Sequence, residues 1–525
     1  MLRHIVTVST GTALSRLTGF ARDVLTAALL GASPVADAFL AAFQLVNVAR
    51  RLLTEGALNA ALVPAWLDRR ARDGEAAAAA FAGRVLGTLG LITVAVAVVL
   101  GLAMPAVIAL VAPGFGSERL DFAVAAGRLM LPYLAFVGPV AVLMGLLNAR
   151  RAFALAAFAP LLFNLSLIAI LIVLLWRGQA AATSALVLAA TVGVAGFLQL
   201  AVLGTQARRQ AAPLKVAFDA PMRRFLARAL PGAVASAMPQ LMVLAGVVAA
   251  SGAPAAVAWL YFASRLIELP LGLVGVAMGT VLVSELSHAR HDAAAFAQAQ
   301  RQGVVLAFGL SLPAATGLVV LAEPIVRVLF HHGAFGAGDV HATGQALALL
   351  ALGLPAQVAV KTFAAAFFAR GDTGTPLIAT LVAVVAALIG AAAAVAPFGV
   401  AGIALALAVS AWVAAAWLGV RAVRDGHLML GAAAGALARI VLAAAAMGGA
   451  LAAARTLWPA PAHTAGAALH VAMLIAGGIA LYGVLLVVFG AADRSTATAL
   501  RDAIARGKDG ASNDPSRTSR HGGEA

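Results

Sequence analysis

Cysteine is absent from all 525 residues, which excludes disulfides, thiolate metal sites and a cysteine nucleophile. Charge is scarce too: 11% of residues are Asp, Glu, Lys or Arg, and 6% are aromatic. A soluble globular domain carries roughly a quarter charged residues, so that class is excluded. A disordered chain is low in hydrophobicity and is excluded with it. No G-x-x-x-x-G-K-[ST] run occurs, which removes ATP hydrolysis at a Walker A site. No D-x-D or D-D-x-x-D pair is present to hold a metal–diphosphate sugar donor, which argues against a polytopic glycosyltransferase.

What the chain does have is apolar sequence: 63% of residues are hydrophobic, with a mean hydropathy of +0.99. Runs of about 20 such residues cross a bilayer as helices. Fourteen are expected, at 5–31, 36–66, 82–112, 122–147, 152–176, 181–206, 225–250, 255–284, 303–322, 342–368, 375–397, 399–420, 430–454 and 467–490. None alternates polar and apolar residues as a transmembrane β-strand does. The fold class is therefore an all-α polytopic membrane protein. Arg16, Arg22 and Asp23 interrupt the first run, so it reads as a span and not as a cleavable signal.

The formal charge of +15 raises nucleic acid as a partner, but topology accounts for it better. With the N-terminus placed in the cytoplasm, the inward loops and tail hold 22 Lys and Arg and the outward loops only Arg119, Arg177, Arg327 and Arg455. That bias orients the chain with both termini cytoplasmic and makes membrane lipid, not nucleic acid, the partner of the basic loops. Pro105, Phe115 and Arg150 recur about 220 positions on as Pro324, Phe335 and Arg370. An offset of six helices relates two halves by an axis along the membrane normal. The expected organisation is an N-terminal lobe at 1–206, a basic linker at 207–224 and a C-terminal lobe at 225–424. Two further helices follow at 425–490, then a disordered cytoplasmic tail at 491–525.

Charges inside a membrane cost about 2.5–3.5 kcal/mol each near a helix centre, so their positions are informative. On the first helix Ser15, Arg16, Arg22 and Asp23 fall in a polar arc of about 160° at 100° per residue. On the second, Asp37, Gln44, Asn47, Arg51 and Glu55 share a stripe with Arg50 beside it, and on the eighth Tyr261, Arg265 and Glu268 follow i, i+4, i+7. One reading makes these structural ion pairs: Arg51 with Glu55, Arg265 with Glu268, Arg22 with Asp23 or Asp37. It suits Asp37, Glu55 and Glu268. The five arginines outnumber the four acids, however, and the surplus suits a phosphate-bearing ligand, because guanidinium groups fork onto phosphate oxygens. His331, His332, Asp339 and His341 cluster in an outward loop, read as solvated in preference to metal-binding. Arg370-Gly371-Asp372 reads as a cytoplasmic turn.

The run Ser15-Arg16-x-x-Gly19-Phe20-x-Arg22-Asp23, then Ala36-Asp37-Ala38-Phe39, then Asn47-x-x-Arg50-Arg51-x-x-x-Glu55-Gly56-Ala57, then Val63-Pro64, resembles the N-terminal signature of the MurJ/MviN family. These are lipid II flippases of bacterial cell-wall synthesis, in a superfamily that includes multidrug exporters. Leu131-Pro132-Tyr133, Asn148-Ala149-Arg150, Ser264-Arg265-Leu266-x-Glu268 and Gly333-Ala334-Phe335 extend the resemblance over about residues 5–490. Val46 and Ser264 stand where the family often has proline and aspartate.

The resemblance implies two six-helix lobes around a cationic cavity, a tail groove on the last two helices, and residence in the bacterial inner membrane. It implies pyrophosphate contacts from Arg22, Arg50 and Arg265, with Arg16 assisting and Ser15 and Asn47 alongside. Asp23, Asp37, Arg51, Glu55 and Glu268 would serve as cavity ion pairs or gating groups. The implied substrate is lipid II, with cell-wall synthesis machinery as a further partner and no cofactor. Some members bind sodium through helices 7, 11 and 12. Here 225–250, 376–397 and 399–420 hold no Asp, Glu or Asn, so membrane potential or another ion is expected to drive cycling. The alternatives are an exporter of drugs or of another polyprenyl-linked glycan, an enzyme acting on such glycans, and a non-transporting scaffold.

Overall fold

The computed structural model describes residues 2–54, 57–207, 214–277, 282–426, 428, 430–461 and 463–490. Glu55, the middle of the expected linker and the expected tail lie outside these. Every regular element described is helical. The first half runs α1 (Leu2–Leu30), α2 (Pro34–Thr54), α3 (Ala57–Val111), α4 (Ser117–Ala149), α5 (Phe153–Arg177) and α6 (Ala181–Ala207). The second runs α7 (Ala220–Ala250), α8 (Ala256–Ala277), short α9 (Val283–His288), α10 (Ala293–Phe330), α11 (Ala337–Ala351), α12 (Leu354–Ala369) and α13 (Gly374–Arg424). Then α14 (Leu430–Leu457) and α15 (Thr464–Val488) pack on each other and on α10.

Among the described residues nine helical stretches are long and apolar enough to cross a membrane. Two of them, Ala61–Val111 and Gly374–Arg424, are 51 residues each. At 1.5 Å per residue that is about 77 Å, more than twice the hydrocarbon core. Each is broken by a glycine: Gly74 at φ 85°, ψ 176° and Gly399 at φ 55°, ψ −136°. The second break falls where the expected spans 375–397 and 399–420 divide. The expected span 342–368 is also interrupted, between α11 and α12. There Gly353 lies so close to Ala408 that a methyl group would sit 2.8 Å from its Cα, and Trp412 Nε1 donates to the carbonyl of Leu352 at 3.0 Å. Helices α1, α2, α7 and α8 are not among the nine. These four wall the cavity described below.

Residues about 220 positions apart take matching geometry. Gly116 and Gly336 are the extended N-caps of α4 and α11, and Arg150 and Arg370 are the C-caps of α4 and α12. The halves meet tightly at one end. The amide of Ala334 donates to the carbonyl of Ala28 at 2.8 Å, and the amide of Gly114 donates to Ser251 Oγ at 3.0 Å, which in turn donates to the carbonyl of Val248 at 2.8 Å. Backbones approach here because Gly31 and Gly114 lack side chains. A methyl at Gly31 would lie 2.6 Å from the oxygen of Ala334, and one at Gly114 would lie 2.7 Å from the carbonyl carbon of Ser251. Behind this seam Phe262, Phe330 and Phe335 stack within 5.3–5.8 Å of one another, with Phe20 of α1 against Phe330 at 6.1 Å.

Candidate functional site: a cationic cavity between the halves

A cavity of about 1590 Å³ lies between α1, α2, α7, α8 and α12. It runs from the level of Asp23 and Tyr261 to Thr373 and Pro376, at the end opposite the seam. Ser15, Arg16, Arg22, Asn47, Arg50 and Arg265, the expected substrate contacts, all line it, as do Asp23, Arg51 and Glu268. Among its described lining residues six cations (Arg16, Arg22, Arg50, Arg51, Arg265 and Lys361) face two carboxylates. The polar arc of α1 thus shares one chamber with Gln44, Asn47, Arg50 and Arg51 of α2 and with the i, i+4, i+7 face of α8.

Asp23 is the hub. Its Oδ1 accepts from Arg22 Nη2 at 2.6 Å, from Arg22 Nε at 3.1 Å and from the Tyr261 hydroxyl at 3.0 Å. Its Oδ2 lies 3.3 Å from Arg265 Nε. One carboxylate on α1 therefore holds an arginine from each half. Arg22 and Asp23 are 8% and 3% exposed, so each charge depends on these partners. Arg22 also donates through Nη1 to Asn164 Oδ1 at 3.0 Å and lies 5.1 Å over the ring of Phe43. Arg265 Nη1 donates to Glu268 Oε2 at 2.7 Å, and its guanidinium covers Tyr261 at 4.5 Å. Arg51 lies 3.7 Å from Glu268 Oε1, and Arg50 Nε donates to Asn47 Oδ1 at 3.1 Å.

Asp37 does not join this set. It is fully buried near the seam, where its Oδ1 accepts from the amide of Ala258 at 2.9 Å and its Oδ2 lies 3.9 Å from Arg119. A carboxylate at the N-terminus of α8 meets the positive end of the helix dipole. The expected cavity ion pair is corrected to a tie between the halves at their closed end. Glu55 lies outside the described residues. In the loop expected to face outward, Asp339 is occupied as a helix cap, accepting from Gly336 N at 3.0 Å and from Trp259 Nε1 at 3.1 Å. No group of three His, Asp or Glu able to hold a metal ion occurs among the described residues.

Two lining residues were not anticipated. Asn164 is the one amide in the apolar helix α5, and it ties Arg22 to the carbonyl of Ser15, to which its Nδ2 donates at 3.0 Å. Its signal was its solitude on a 25-residue apolar helix. Lys361 is the one charged residue of α12, and the fold turns it into the chamber beside Gln357, one helical turn earlier.

Helices of membrane length around a cationic chamber, sealed at one end and reaching the other, define a multi-pass membrane protein built as a transporter. Comparison with known proteins places it more closely. The model of the lipid II flippase MurJ family matches residues 26–470, and the chain belongs to that family. It is 38% identical over 440 residues to a probable lipid II flippase MurJ of Rhizobium tropici, covering 82% of each chain. It is 34% identical over 390 residues to the lipid II flippase MurJ of Burkholderia cenocepacia, covering 72% of this chain and 75% of that one. Among solved structures it resembles a lipid II flippase MurJ in an inward closed conformation, with a TM-score of 0.77 at 22% identity over 92% of this chain and 98% of that one. An inward-facing multidrug transporter of the MATE family has a TM-score of 0.63 at 18% identity over 80% of this chain and 98% of that one, a likeness of fold.

Proposed function

We propose that this chain flips lipid II, an undecaprenyl-diphosphate-linked disaccharide pentapeptide, from the inner to the outer leaflet of the cytoplasmic membrane by alternating access. The observation that carries the reading is the chamber of six cations and two carboxylates between the halves of a MurJ-family chain. The end bearing Arg69, Arg70, Arg72, Arg150 and Arg370 is cytoplasmic by the positive-inside rule, which turns the seam outward and puts both termini in the cytoplasm. The matching caps of α4 and of α11 and α12 support two lobes that rock against each other, at 1–206 and 225–424, joined by the 207–224 linker. Together with the breaks at Gly74 and Gly399 they favour fourteen spans.

With the seam closed, the head group enters from the cytoplasm and its diphosphate meets the arginines. The undecaprenyl tail stays in lipid along α14 and α15. Rocking opens the seam and releases the head group outward. Charge moved through the membrane field gains about 2.3 kcal/mol per elementary charge per 100 mV, enough to return an empty cationic chamber inward. A drug exporter is the second reading, and the cationic surplus opposes it for cationic drugs.

The test is lipid II sidedness in cells depleted of this protein and complemented with wild type or with Arg22→Ala. Head groups inaccessible from outside, restored by wild type only, are expected. Unchanged sidedness on depletion would overturn the assignment of lipid II.

A further inference from the structure

Most cations of the chamber already have protein partners. Arg22 and Arg265 are held by Asp23 and Glu268, Arg51 lies against Glu268, and Arg50 is bonded to Asn47. Arg16 and Lys361 differ. Both are exposed to the chamber, and neither makes a hydrogen bond or ion pair with a protein group among the described residues.

The two come from opposite halves and converge. Arg16 leaves α1 and lays its guanidinium over Gly272 of α8, where a methyl group would collide with it. Gly272 is one helical turn beyond Glu268. In this corner the charged neighbours of Lys361 are Arg16 and Glu268. Glu268 is already shared by Arg265 and Arg51, so among the described residues Arg16 and Lys361 have no anion of their own. Like charges on two walls of one chamber repel, and a pair of this kind is completed by an anion with two negative centres.

We infer that Arg16 and Lys361 form a two-cation clamp for a diphosphate, one phosphoryl group on each, and that Lys361 makes the chamber select a diphosphate over a monophosphate. The inference rests on the flippase reading. The planar fork of Arg16 suits two oxygens of one phosphoryl group, while the compact ammonium of Lys361 takes the second as a point charge. A monophosphate is satisfied by Arg16 alone. A diphosphate on both residues also bridges α1 to α12, so loading ties the two halves together.

The test uses the purified full-length protein with two lipid probes, undecaprenyl diphosphate and undecaprenyl monophosphate, bound to wild type, Lys361→Met and Lys361→Arg. Loss of one charge-assisted contact predicts a weakening of about tenfold or more for the diphosphate in Lys361→Met. Less than about twofold is expected for the monophosphate, with most of the wild-type preference kept in Lys361→Arg. Without ligand, Lys361→Met should melt at or above the wild-type temperature, because it removes a repulsion and no bond. An equal loss for both lipids, no loss for either, or a lowered melting temperature in both variants overturns the clamp while leaving the flippase reading standing. Failure of wild type to bind undecaprenyl diphosphate overturns the flippase reading itself.

Discussion

Asn164 shows how one amide can set a guanidinium. Its oxygen accepts from Arg22 and its nitrogen donates to the carbonyl of Ser15, so it fixes Arg22 against the helix that carries it. Gly19 leaves room for this, since a methyl there would sit 3.4 Å from the Asn164 nitrogen. Asn164→Leu keeps the volume but strands a buried charged donor, a loss of about 1.5–3 kcal/mol. Affinity for undecaprenyl diphosphate is expected to fall tenfold or more on that scale, together with the melting temperature. A lowered melting temperature with unchanged affinity would assign Asn164 to stability alone. Neither Asn164 nor Lys361 was legible as a site residue, because one is the single amide of α5, the other the single charge of α12, and the meaning of each depends on which helix lies opposite. Arg16, Arg22, Arg50 and Arg265 were legible because clustered charges inside a membrane require a chamber. Asp37 was half legible: its need for a partner was evident, but not that a backbone amide of α8 would supply one.

At the scale of the element, the breaks in the long helices are set by backbone conformation. Gly399 occupies a region open essentially to glycine, whereas Gly178, which ends α5, is in the ordinary left-handed region at φ 60°, ψ 34°. Neither has an atom within 4 Å of where a methyl group would stand, so the two substitutions differ in backbone strain alone. Gly399→Ala is expected to cost up to about 3 kcal/mol and Gly178→Ala about 1 kcal/mol, read as thermal midpoints of the two variants. Equal shifts would show that the Gly399 break is not conformationally demanding. The break at 397–399 was readable from Pro397 and Gly399. The one between α11 and α12 was passed over although Gly353 and Pro355 stand there, because its interruption is fixed by the approach of α13 at Ala408 and Trp412.

At the scale of the whole molecule, the seam repeats itself. Ala28, Gly31 and Ala334 correspond, about 220 positions apart, to Val248, Ser251 and Gly114. Each half thus rests the end of its first helix on the other half's loop, through hydrogen bonds from Ala334 to Ala28 and from Gly114 to Ser251. Gly31→Val or Gly114→Val should hold this end ajar. Because the chain has no cysteine, Ser264→Cys in the chamber can report it, by faster labelling with an impermeant maleimide added outside cells. Gly178→Val, which meets nothing, is the control, and labelling at the control rate in both seam variants would show that closure does not depend on these glycines. Deeper in, Asp23 already occupies the positions on Arg22 and Arg265 that an incoming anion would take. If the flippase reading holds, loading there would exchange one anion for another, and unloading would be the reverse. Asp23 would then act as a built-in stand-in for the substrate, and cargo would leave by competition and not only by its own dissociation.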